Sequence, residues 1–186
     1  MRPIMGVRIL VLTAVTAATL AMSIGVAAAH VTITPSSLPK GGFGILSFSV
    51  PNEKDDANTI VVEVDLPTKY PIASVSVKPM TGWNITTETT TLAKPVQTDD
   101  GQVTQAVSKI TWTATAGGLA PGQFDLFTIS AGPLPTKTGK LEFKAIQTYS
   151  DGTIVRWIEP TVKGTPEPEN PSPTLTLTKA ASGHGH

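Results

Sequence analysis

The chain reads as all-β, a sandwich of about seven to nine short strands. Three observations predict this. Apolar and polar residues alternate along several short segments of residues 31–162, Gly, Pro, Asn and Asp interrupt them at close spacing, and no long stretch carries a helical period. An immunoglobulin-like or cupredoxin-like arrangement of two packed sheets is the expected architecture, with a closed barrel as the alternative.

Taken in order, Leu46, Phe48 and Val50 alternate with Ser47 and Ser49, which marks a strand with one apolar face. Ile60, Val62, Val64 and Leu66 alternate with Val61, Glu63 and Asp65 in the same way. Val75 and Val77 repeat the pattern, as do Ile110, Trp112 and Ala114. Further strands are expected over residues 124–131, 141–149 and 153–158. Residues 86–105, rich in Thr and carrying Asp99-Asp100-Gly101, suit a long hairpin or an insertion with little core content. Asp151-Gly152 between Tyr149-Ser150 and Thr153-Ile154 signals a two-residue type I′ hairpin, which makes the last two core strands antiparallel neighbours. After Lys163 the run Gly-Thr-Pro-Glu-Pro-Glu-Asn-Pro-Ser-Pro-Thr has neither period nor apolar mass, so residues 164–186 are expected to form a disordered tail.

The first 29 residues read as a removable leader. Arg2 and Arg8 give a positive start, residues 9–21 are largely apolar, and Ala27-Ala28-Ala29 offers the small residues that precede a signal-peptidase cut. The domain organisation is therefore a leader over 1–29, a sandwich over 30–163 and a tail over 164–186. Of the 186 residues, 157 remain after the cut, enough for one core. Loss of Arg2 and Arg8 leaves 12 basic against the 14 acidic residues, a balance near −2. Such a chain lacks the clustered basic face that nucleic acid or an anionic membrane surface requires. The residues after the proline-rich run include only Leu175, Leu177, Ala180 and Ala181 as apolar mass, short of the roughly 20 needed to span a bilayer. A secreted or periplasmic protein is the expectation.

Cleavage after Ala29 would make His30 the first residue, and that gives it a distinctive chemistry. The α-amine and ring Nδ1 of an N-terminal histidine close a six-membered chelate on one metal ion, which an internal histidine cannot do. There is no cysteine, so thiolate ligation and a blue-copper centre are excluded. Met80 is the sole methionine outside the leader, too few thioethers for a soft copper(I) site. Nitrogen and carboxylate donors remain, the set that suits copper(II).

His30-Val31-Thr32-Ile33-Thr34-Pro35, Val50-Pro51-Asn52-Glu53, Thr81-Gly82-Trp83, Ile110-Thr111-Trp112 and Tyr149-Ser150-Asp151-Gly152-Thr153-Ile154-Val155-Arg156-Trp157 occur in this order after an Ala-rich leader. Together they resemble the YcnI-like family of bacterial copper-binding proteins. The resemblance implies an extracytoplasmic sandwich that holds copper(II) in a single-histidine brace, with a glutamate oxygen and a nearby tryptophan. Carried onto this chain, His30 is the brace and Glu53 the carboxylate, with Glu63 on a polar strand face as competitor. A lone turn acid is ordinarily solvent-facing, and residue type alone favours that reading of Glu53. Trp157 is assigned beside the metal, Trp83 is second, and Trp112 alternates like a core residue. The metal partner is the copper ion, with a copper transporter or recipient metalloprotein as the delivery partner.

Two other functions compete. Polysaccharide monooxygenases also use an N-terminal histidine on copper, but they add a second core histidine, whereas His184 and His186 here follow the proline-rich run. Those two sit in Gly183-His184-Gly185-His186, a weak metal-binding context or a solvated end. A metal-free adhesion sandwich is the third reading. Hydrolytic chemistry has little to draw on, since His30 is the only histidine of the folded region and no glycine-rich phosphate loop occurs. A non-enzymatic binding protein is expected.

Overall fold

The computed structural model describes residues 30–99 and 101–179. The leader, Asp100 and residues 180–186, with His184 and His186, lie outside the described residues. Twelve strands and no helix occur among those described: β1 (Thr32–Thr34), β2 (Ser37–Pro39), β3 (Gly44–Pro51), β4 (Thr59–Asp65), β5 (Ser74–Val77), β6 (Trp83–Thr98), β7 (Gly101–Ala114), β8 (Phe124–Gly132), β9 (Lys140–Glu142), β10 (Lys144–Tyr149), β11 (Ile154–Trp157) and β12 (Thr174–Thr178). The protein is all-β, and no helix of the described residues is long and apolar enough to cross a membrane.

A four-stranded sheet in the order β1-β3-β8-β5 and a five-stranded sheet in the order β11-β10-β4-β7-β6 share one core. The alternation read from the sequence explains the pairing of faces. Leu46, Phe48 and Val50 of β3 and Phe127, Ile129 and Ala131 of β8 turn inward, as do Val62 and Val64 of β4 and Ile110 and Trp112 of β7. Trp112 is fully buried and meets Phe127 edge to face, ring centroids 5.4 Å apart. Trp83 approaches the same phenylalanine at 5.1 Å, so both indoles are spent on packing.

Three expectations need correction. The tail is not disordered throughout: β12 pairs parallel with β2 and antiparallel with β9, and its Leu175 and Leu177 are buried in the main core. Thr174, Thr176 and Thr178 alternate with these leucines, a period-2 pattern five residues long that the preceding proline-rich composition conceals. Burial of a leucine side chain contributes about 1.5–3 kcal/mol, so this strand is part of the fold. Next, the single strand expected over 141–149 is two strands. Fully buried Phe143 lies between β9, which joins β12, and β10, which joins β4.

The hairpin at Asp151-Gly152 is antiparallel as expected, with Thr148 opposite Ile154, but its turn is not type I′. That turn needs positive φ at both central residues, and only Gly152 has it, at 84°. Gly152 N–H donates to the Tyr149 carbonyl at 3.0 Å and Tyr149 N–H to the Thr153 carbonyl at 2.9 Å, which makes a three-residue connection closed by a left-handed glycine. The long hairpin of β6 and β7 is present, with Leu92 and Ala106 its buried contributions beyond the sheet body.

Candidate metal centre

His30 stands at the entry of β1, and the register of that strand decides its neighbours. Thr32 lies opposite Ser49, so His30, two residues earlier, is beside the end of β3 at Pro51. Val31 and Ile33 point into the core and fix this first segment. The His30 ring lies 5.9 Å from the ring of Trp157, tilted by 57°. Trp157 is the last residue of β11 and is buried.

What orients this indole is Gln147, a residue that sequence reasoning missed. Gln147 occupies an inward position of β10 and is 1% exposed. Its Oε1 accepts from Trp157 Nε1 at 3.2 Å, and its Nε2 donates to the Pro51 carbonyl at 2.8 Å and to Thr59 Oγ1 at 2.7 Å. A buried amide with no partners would be costly, and here three bonds satisfy it. With its N–H engaged, Trp157 presents its ring rather than its donor to His30. The signal in the sequence was a glutamine on the apolar phase of the strand that contains Ala145 and Tyr149.

Glu53 is exposed and follows Pro51-Asn52, at the same end of the four-stranded sheet as His30. Its backbone is held by Asn52, whose buried side chain donates to the carbonyls of Ala57 at 2.8 Å and Leu119 at 2.9 Å and accepts from Lys54 N–H at 3.0 Å. Glu53 also acts at a distance: after burial itself, its charge is the next cause of the raised pKa of the Tyr149 phenol. Glu63 is engaged elsewhere. On β4 it accepts from Lys109 Nζ at 3.1 Å, and this hydrogen bond is the main cause holding the Lys109 ammonium above its ordinary range.

A carboxylate that is neither candidate approaches the His30 ring. Glu167 Oε1 lies 3.4 Å from His30 Nδ1. A hollow at this end of the molecule is lined by His30, Lys140, Thr161, Lys163, Glu167 and Pro171 among others. No cluster of three or more metal-ligating side chains occurs among the described residues. The donors present are an imidazole and a carboxylate beside an aromatic face, a nitrogen and oxygen set that fits a borderline ion such as copper(II).

An immunoglobulin-like sandwich with a histidine, an indole and carboxylates at one end defines the class of protein. A family model described as a domain of unknown function, DUF1775, matches residues 30–177. The chain belongs to that family, the YcnI-like family its motifs resemble. It is 33% identical over 131 residues to the copper-binding protein CutI of Bacillus subtilis (strain 168), a match covering 70% of this chain and 56% of CutI. The chain thus spans a little over half the length of that relative. A solved protein of Nocardia farcinica with an immunoglobulin-like fold is 37% identical, with a TM-score of 0.64 over 81% of this chain and 99% of that one.

Proposed function

We propose that this protein binds copper(II) outside the cytoplasm and holds it for transfer to a transporter or recipient metalloprotein. The observation that carries the reading is the approach of the His30 and Trp157 rings to 5.9 Å, at the point where removal of the leader would free a chelating amine. In this reading the amine and Nδ1 of His30 are the nitrogen ligands and Glu53 supplies an oxygen. The Trp157 ring lies against the ion, where an indole contributes shielding and a cation–π contact rather than a lone pair. Copper is the cargo. Similarity to CutI, a protein named for copper binding, supports the choice of metal.

The chain's own residues account for selectivity and retention. Two neutral nitrogens and a carboxylate favour copper(II) over harder cations. Both nitrogens must shed protons to ligate, so binding weakens in acid. A carrier is favoured over an oxidative enzyme because His30 is the only histidine among the described residues, which leaves the core without the further imidazole of the monooxygenase brace.

The test is direct. Intact mass of the secreted protein should correspond to a start at His30, and that protein should take up one copper(II) with a nitrogen-rich paramagnetic resonance spectrum. One alanine placed ahead of His30 should abolish tight binding. Unchanged stoichiometry and spectrum in that variant would refute the brace. Glu53→Gln should weaken binding without altering the fold, whereas Glu63→Gln should leave it unchanged.

A further inference from the structure

The loop from β11 to β12 leaves the sandwich directly after Trp157 and returns over His30. Its base is closed by backbone hydrogen bonds: Glu159 N–H donates to the Asn170 carbonyl at 3.0 Å and Ser172 N–H to the Glu159 carbonyl at 2.8 Å. Beyond Ser172 the chain is anchored by Leu175 and Leu177 of β12. Between these anchors the loop carries Glu167, whose Oε1 lies 3.4 Å from His30 Nδ1. The two side chains are 25% and 64% exposed for His30 and Glu167, and so open an ion pair contributes little by itself. The closed base, not the pair, therefore brings the carboxylate to the ring nitrogen.

We infer that Glu167 is a second carboxylate of the metal site, so that metal binding fastens the 158–173 loop onto the end of the sandwich. The inference rests on the copper reading above. Metal–nitrogen and metal–oxygen bonds are about 2 Å long, so a carboxylate oxygen 3.4 Å from Nδ1 is close enough to share one ion with it. Charge points the same way. A divalent ion held by two neutral nitrogens and one carboxylate keeps a positive charge, in a hollow also lined by Lys140 and Lys163, and a second carboxylate neutralises it. Lys140 is paired with Glu142 at 2.8 Å, whereas Glu167 faces the histidine at 3.4 Å. The loop then links the metal to the C-terminal strand, since Trp157 begins it and β12 ends it.

Trypsin and copper titration together test this on the mature full chain. Lys163 and Gly164 are exposed within the loop, so the Lys163-Gly164 bond reports whether the loop is fastened. One equivalent of copper(II) should slow cleavage there several-fold in the wild type. Glu167→Gln should bind copper(II) about tenfold more weakly, and copper at saturation should no longer slow the cut. Wild-type affinity in Glu167→Gln, or cleavage of the wild type at the same rate with and without copper, overturns the inference. The alanine-extended variant separates the two readings. If it loses copper while Glu167→Gln binds as wild type does, only the role of Glu167 falls; if it binds copper normally, the brace falls and takes this inference with it.

Discussion

Gln147 shows how one buried side chain sets the geometry of the candidate site. It joins three elements, accepting from the Trp157 indole and donating to the Pro51 carbonyl and the Thr59 hydroxyl. Gln147→Leu keeps the volume but leaves the indole N–H, a carbonyl and a hydroxyl without this partner. Unsatisfied buried groups cost about 1–3 kcal/mol, and chemical denaturation should show a loss of that size. The same variant should alter copper-dependent fluorescence, because the ring is no longer oriented. Trp157→Phe should remove most of the copper(II) quenching, whereas Trp83→Phe and Trp112→Phe should keep it, since those two indoles pack on Phe127. Persistent quenching in Trp157→Phe, measured by steady-state titration, would move the metal away from this ring.

The β10–β11 hairpin brings Trp157 alongside Gln147, and its turn depends on Asp151. The Asp151 carboxylate accepts from the Thr153 hydroxyl at 2.6 Å and from Thr153 N–H at 2.9 Å, with Lys54 Nζ at 3.3 Å. The Thr153 hydroxyl bond first, then its backbone bond, hold this carboxyl below its ordinary range; desolvation opposes them and Lys54 adds to them. A group whose folded pKa is depressed stabilises the fold above its unfolded pKa, about 3.9 for Asp, and that contribution is lost as pH falls through the folded value. Asp151→Asn should therefore lower the melting temperature at pH 7, and the gap from wild type should close in acid below about pH 4. A gap independent of pH would show that the turn relies on shape and not on the charge. Thermal scans across a pH series decide it.

At the scale of the molecule, the two main sheets meet around Trp112 and Phe127, and a third sheet of β2, β12 and β9 extends this core. A chain ended after Lys163 would lose β12 and uncover the surfaces that Leu175 and Leu177 bury. Each leucine is worth about 1.5–3 kcal/mol in burial, and β2 and β9 would also lose their shared partner. Typical domains have only about 5–15 kcal/mol in hand. The truncated protein should unfold at clearly lower denaturant concentration, as followed by tryptophan fluorescence. Unfolding at the wild-type midpoint would mean that β12 is dispensable.

Strand alternation, turn residues and the small-residue run before His30 are local properties, and they were enough to predict an all-β sandwich and to single out His30. The same locality explains the misses. Composition over a dozen residues hid the five-residue alternation of β12, and Asp151-Gly152 indicated a hairpin without distinguishing a two-residue from a three-residue connection. That Gln147 holds the Trp157 indole, that Glu63 is taken up by Lys109 and that Glu167 reaches Nδ1 were decided only by the tertiary structure. These are meetings between residues far apart in the chain. They depend on sheet order and register, which bring β1, β10, β11 and the loop before β12 to one end of the sandwich, and a period of two along a single strand carries no information about which other strand it will face.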